Sequence, residues 1–242
     1  MKVEIWSDVV CPWCYIGKRR FEAALAGFAH RAAVGVVWRS FQLDPHAPLE
    51  STEPVNAVLA QKYGVSLQQA AAMSAQVSAV AAEDGLEYHL DQAQRSNTFT
   101  AHRLIHFAAT QGCQDALKER LLRAYFTEGA AVGDPATLVR LAAEVGLPTA
   151  EARAVVAGTA YAAEVRADEQ RAQALGIRGV PFFVLDDTYA VSGAQPAAVF
   201  RQALEQAWTA THPLITLGQS PAAGLLCGED GCAIPVAPEG AH

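Results

Sequence analysis

The chain has 242 residues, 51% of them apolar and 18% charged, and 18 Lys and Arg against 25 Asp and Glu give a net charge of −7. That is enough apolar material for a sizeable core, in one domain with a large insertion or in two domains. No basic run exceeds Lys18-Arg19-Arg20, so there is no concentrated cationic surface to neutralise phosphates, and nucleic acid is excluded as a partner.

Met1 to Asp8 is charged and alternating, without the apolar stretch of ~7–15 residues that a secretory leader needs. No segment reaches about 18 consecutive apolar residues. The expectation is a cytoplasmic protein with no membrane partner. Its five cysteines then sit in a reducing compartment, where paired thiols are more often catalytic, redox-sensing or metal-binding than structural.

Val3 to Val9 is β-branched and partly alternating and predicts a strand, as does Val34 to Leu43. Between them, Pro12 suits a first helical position, and Ile16, Arg20, Phe21, Ala24, Leu25 and Phe28 keep helical spacing behind it. From about Ser51 to Leu175 the pattern is helical, and five or six helices are expected. Ser66 to Gln69 has capping-box spacing, Asp134-Pro135 puts an N-cap acceptor before a first-turn proline, and Gly85, Gly129, Gly146 and Gly176 stand where left-handed C-caps are wanted. Val180 to Leu185 and Thr188 to Ser192, separated by Asp186-Asp187, predict a hairpin, and Pro196 opens a last amphipathic helix. Gly218 to His242 is rich in Gly and Pro and predicts a flexible tail.

Chemistry concentrates at Cys11-Pro12-Trp13-Cys14. Two cysteines three apart on the first turn of a helix share a face, with Cβ atoms about 5–6 Å apart, close to what a disulfide needs. The first sulfur faces the unpaired N–H groups and the positive end of the helix dipole, and Pro12 removes only an N–H that had no intrahelical partner. Cys11 is therefore expected to be the low-pKa nucleophile, and Cys14, one turn further in, the resolving thiol. Half of a zinc site, or two buried inert cysteines, are the competing readings.

The motif Ser7 to Gly17 around Cys11 and Cys14, Asn97-Thr98 with Ala101 to Leu104, and Gly176 to Val184 around Gly179-Val180-Pro181 together resemble the DsbA family of the thioredoxin superfamily, in particular its FrnE-like branch. The resemblance spans about residues 1–210. It implies an α/β thioredoxin fold, strand-helix-strand followed by strand-strand-helix, with a large inserted all-helical domain. The implied division is 1–45 and 176–210 for the thioredoxin-like part, 46–175 for the insertion and 211–242 for the tail. It also implies a disulfide oxidoreductase or isomerase, acting on disulfide-containing or thiol-containing proteins and small thiols, with a cis Val180-Pro181 peptide facing the cysteines. In that setting Val180 and Pro181 bind an extended substrate strand, and Pro12 and Trp13 shape the site. Because Trp13 stands where an imidazolium could lower the Cys11 pKa by direct charge, the residues themselves set an expectation between the ~7 of thioredoxin and the ~3.5 of DsbA.

Asp8, three residues before Cys11, is read either as a proton-transfer group for Cys14 or as a solvated or capping carboxylate. His102 and His106, one turn apart, permit metal ligation, but no carboxylate-rich motif accompanies them and helix packing is favoured. Cys113 reads as a buried small hydrophobe. Cys227 and Cys232 bound a Gly-Glu-Asp-Gly turn and form a candidate auxiliary redox pair, whose pKa values the flanking acids raise. No metal and no resident cofactor is expected, and glutathione is the candidate reductant or co-substrate. Two alternatives remain. One is a glutathione-dependent isomerase of the 2-hydroxychromene-2-carboxylate isomerase type, in which Cys14 has no duty. The other is a zinc module built on both cysteine pairs.

Overall fold

The structure is a computed structural model and describes residues 1–48, 51, 53–213, 227–228 and 231–232. It begins with a strand β1 (Lys2–Ser7), a helix α1 (Pro12–Ala26) and a strand β2 (Gly35–Ser40). Seven helices follow: α2 (Val55–Tyr63), α3 (Leu67–Glu83), α4 (Phe99–Thr110), α5 (Gln114–Phe126), α6 (Pro135–Glu144), α7 (Thr149–Ala157) and α8 (Ala162–Ala174). The chain then returns through β3 (Phe182–Leu185), β4 (Tyr189–Ser192) and α9 (Ala197–Thr211). This is the mixed α/β thioredoxin-like fold with its helical insertion between β2 and β3.

The helices begin and end where capping chemistry directs. Ser66 and Gln69 form a reciprocal capping box on α3, and Asp134 accepts the Thr137 N–H at 2.7 Å ahead of Pro135 on α6. Gly85, Gly129, Gly146 and Gly176 all take positive φ after a helix, a conformation open to Gly because it lacks Cβ. Among the described residues the insertion holds seven helices rather than five or six. The break between α7 and α8 carries no usual start signal in the sequence, because Tyr161 caps α8 from a left-handed conformation with no side-chain cap.

The four strands form one sheet in the order β2-β1-β3-β4. β1 pairs parallel with β2 and antiparallel with β3, and β3 pairs antiparallel with β4. Three residues, Asp186 to Thr188, connect the paired Leu185 and Tyr189; Asp186 and Asp187 take positive φ and the Thr188 N–H closes the turn on the Leu185 carbonyl oxygen at 3.1 Å. On one face of the sheet, Phe21 of α1, Phe183 of β3 and Phe200 of α9 meet ring to ring. On the other, Trp6 packs with Ala172, Ile177 and Val184, and its indole N–H donates to the Asp168 carbonyl oxygen at 3.0 Å. Buried Glu4 is held on this side by Arg39 and Arg171.

Residues Met1–Trp208 form one compact unit and Thr209–His242 a second. Most of the predicted tail lies outside the described residues. Within it, Cys227–Gly228 (β5) and Gly231–Cys232 (β6) pair antiparallel, with Cys227 opposite Cys232. Among the described residues no helix is long and apolar enough to cross a membrane.

Candidate active site

The first turn of α1 carries both cysteines of the Cys11-Pro12-Trp13-Cys14 motif. Cys11 is the N-cap, with extended backbone, and Pro12 is the first helical residue. The Cys14 N–H donates to the Cys11 carbonyl oxygen at 3.0 Å. Both sulfurs are free thiols, both are buried, Cys11 4% and Cys14 1% exposed, and the Trp13 ring beside them is 41% exposed. Opposite the helix mouth stands the cis peptide Val180-Pro181, and the Cys11 thiol donates to the Val180 carbonyl oxygen at 3.5 Å. A groove of about 390 Å³ continues from this point, lined by Arg178, Gly179, Val180, Pro181, Phe182 and Ser192 among others.

The loop between β1 and α1 is tied down by Asp8, which has no exposed surface. Its Oδ1 accepts the Val9 N–H at 2.8 Å and meets His102 Nε2 at 3.2 Å, and its Oδ2 accepts the Leu43 N–H at 2.8 Å. Burial pushes this carboxyl up, but the His102 hydrogen bond and charge, the Leu43 N–H and the Lys118 ammonium outweigh it, and the net shift is downward. Asp8 is thus neither solvated nor free at the carboxylate, and the solvated-loop expectation is corrected. His102 and His106 serve different partners: the second meets Ser40 Oγ at 3.0 Å and Asp168 Oδ2 at 3.1 Å. Cys113 is half-buried at the N-cap of α5.

The two thiols have different surroundings. Hydrogen bonding with Cys14 and then burial push Cys11 well above the ordinary thiol value. Burial pushes Cys14 up too, but the Cys11 thiol, Lys118 and the Ser7 hydroxyl together outweigh it and bring Cys14 down. The helix N-terminus acts on both sulfurs, whereas the nearby cation and hydroxyl act on the inner one. These surroundings favour negative charge on Cys14 over Cys11, and the two thiols titrate as a unit.

Sequence reasoning missed Ser7, Lys118 and Gly17. Ser7 gave no signal beyond its place one residue before Asp8. Lys118 did give one, because it falls on the inward stripe of α5 with Leu117, Leu121, Leu122 and Tyr125, where a lysine is out of place. Gly17 approaches Pro181 so closely that a Cβ would lie 2.8 Å from Pro181 Cγ.

Comparison with known proteins agrees with this geometry. Residues 2–205 match the DSBA-like thioredoxin domain family. The uncharacterised protein YwbO of Bacillus subtilis is 30% identical over 84% of this chain and 94% of its own length. The crystal structure of a probable DsbA oxidoreductase from Streptomyces coelicolor is 50% identical with a TM-score of 0.84, covering 98% of this chain and 100% of that one. The cytosolic disulfide reductase DsbM from Pseudomonas aeruginosa, solved with GSH, shares the fold at 21% identity and a TM-score of 0.60, over 85% of this chain and 98% of that one. The chain belongs to the DSBA-like thioredoxin domain family and is an enzyme of the disulfide oxidoreductase/isomerase class.

Proposed function

We propose that the chain exchanges disulfides through Cys11 and Cys14, with Cys11 attacking and Cys14 resolving. The observation that carries this reading is the free thiol pair on the first turn of α1, facing the cis Val180-Pro181 peptide with the Cys11 sulfur 3.5 Å from the Val180 oxygen. An extended substrate segment that pairs with Val180 brings its own disulfide to that sulfur. The exposed Trp13 ring forms the rim, and Pro12 leaves the helix mouth free of a competing donor.

The proton balance follows from the acidity order. As Cys11 attacks a disulfide R–S–S–R′, its proton passes to the Cys14 thiolate, the Cys11–S–S–R bond forms and R′S⁻ leaves. That thiolate takes the proton back from Cys14, whose sulfur then attacks Cys11 Sγ and releases RS⁻. Two electrons have moved from the enzyme pair to the substrate, and one disulfide has replaced another. Here Cys14 is both base and resolving thiol, a duty absent from the glutathione-dependent isomerase alternative. Asp8, ionised well below neutrality, is a poor base and in this reading fixes the loop that presents Cys11.

Substrates on this reading are protein disulfides and small thiols, with glutathione as reductant or co-substrate. The glutathione complex of the Pseudomonas neighbour supports that choice, as its cytosolic description supports a cytoplasmic place of work. Cys227 and Cys232, backbone partners in a hairpin, are assigned as an auxiliary redox pair. Cys11→Ser is expected to abolish insulin reduction and scrambled-ribonuclease refolding, and Cys14→Ser to trap mixed disulfides. Wild-type activity in Cys11→Ser excludes the mechanism, and a fully active Cys14→Ser protein turns the assignment to the glutathione-dependent isomerase.

A further inference from the structure

Lys118 is a buried cation that enters the exchange described above only through its effect on Cys14. Its side chain is 1% exposed on α5, and a buried ammonium costs several kcal/mol unless it is compensated. The compensation here is thin. Its Nζ donates to the Ser7 carbonyl oxygen at 3.3 Å and lies 5.5 Å over the Trp38 ring, and among the described residues no carboxylate forms an ion pair with it. The groups whose negative charge favours its ammonium are Cys14 first, then Asp8 and Cys11, while Lys18 opposes it. Ser7 adds a second sign. Its hydroxyl is buried without a hydrogen-bond partner, and it is among the groups that favour negative charge on Cys14. A lone ammonium and an orphaned hydroxyl that converge on one buried sulfur are accounted for together when that sulfur carries negative charge in the working cycle.

We propose that Lys118 and Ser7 form an anion site for the Cys14 thiolate, so that the helical insertion, through α5, sets the redox equilibrium of a thiol pair carried by α1. The proposal rests on the exchange reading above and deepens it. In the reduced chain the Cys14 thiolate faces the Lys118 ammonium. When Cys14 Sγ bonds to Cys11 Sγ, two electrons leave with the reduced substrate, the thiolate is consumed and the ammonium loses its counter-charge. The site thus stabilises the reduced state selectively and makes the pair a stronger oxidant. Lys118 acts through Cys14 and is a positioning residue. The charged and titratable groups around it are Asp8 from the β1–α1 loop, Cys11, Cys14 and Lys18 from α1, and, through Asp8, His102 from α4.

The test is the equilibrium of the Cys11–Cys14 pair in glutathione buffers, measured on the full chain. Lys118→Met is expected to move it about tenfold toward the disulfide, which is ~30 mV to more negative potential for a two-electron couple. Lys118→Arg, which keeps the charge, stays within about threefold of the wild type, near 15 mV by the same conversion. An unmoved Lys118→Met protein overturns the proposal, and so does a Lys118→Arg protein displaced as far as the Met one. If neither variant folds, the wild type decides by NMR titration of labelled lysine: linkage requires Lys118 to hold its proton to higher pH in the reduced form than in the oxidised form, by about one pH unit. Equal titration in the two forms overturns it. Failure of the exchange reading is a different result, an active Cys11→Ser protein or a pair that forms no disulfide in any buffer.

Discussion

A carboxylate with no contact to water must be held by something else, and Asp8 is held by two backbone N–H groups and His102. Because its native pKa lies below the ordinary value, these interactions contribute stability that is fully present above about pH 4, the ordinary carboxylate range, and is lost as pH falls through the lower native value. Asp8→Asn keeps an acceptor but removes the charge, and we expect it to cost about 1–3 kcal/mol at neutral pH. Denaturant unfolding followed from neutral to acid pH checks this: the wild-type curve falls on the acid side and the variant's is flatter there, while equal slopes remove the Asp8 carboxylate charge from the account. The motif around Asp8 could be read because Cys-Pro-Trp-Cys at a helix start announces its chemistry in residue type and spacing. The state of charge could not, since it depends on Lys118, which is 104 positions from Cys14 in sequence and reaches it only through the packing of α5.

Between elements, the decisive contact is the approach of α1 to the β3 entrance. Gly17, one turn beyond Cys14, lies against Pro181, and Ala194 sits 3.5 Å from the position a Cβ would take. Gly17→Ala sets two effects against each other. Helix propensity favours Ala by about 1 kcal/mol. The 2.8 Å approach to the Pro181 ring forces either the helix or the loop to shift, and overpacking of this kind costs about 1–3 kcal/mol. The clash wins, because a proline ring in a tight loop has little freedom to yield. We expect a net loss of stability and, because the shift separates Cys11 from the Val180 carbonyl, a fall in kcat/KM of roughly ten- to a hundredfold. Unchanged kinetics and unchanged unfolding midpoint together mean that the loop moves aside freely and does not position substrate. A second contact of this scale protects the sheet edge: the Gln114 amide accepts the Trp38 N–H and donates to the Trp38 carbonyl oxygen, each at 3.0 Å, so a helix side chain takes the place of a neighbouring strand. The helices and strands themselves were readable from periodicity, caps and the Asp186-Asp187 turn, but these contacts were not, because a glutamine and a glycine carry no mark of the partner they meet.

At the scale of the molecule, the ring cluster of Phe21, Phe183 and Phe200 and the buried face around Trp6 lie wholly within Met1–Trp208. The buried Glu4, Arg39 and Asp168 ion network joins β1, β2 and α8 inside the same unit. A chain ended after residue 213 keeps every one of these contacts and the whole of α9. Such a truncation is therefore expected to fold and to give a single cooperative unfolding transition. It removes Cys227 and Cys232 while leaving Cys11 and Cys14, so it also separates the two proposed redox pairs kinetically. Reduction of a substrate by the pre-reduced enzyme in a single turnover requires only the first pair and should proceed at the wild-type rate. Sustained turnover with glutathione should slow several-fold if the second pair passes electrons to the first. Calorimetry and the two rate measurements check the three expectations separately. Wild-type turnover by the truncated chain removes the auxiliary assignment without touching Cys11 and Cys14, whereas a loss of folding moves part of the core into the tail and overturns the division at Trp208.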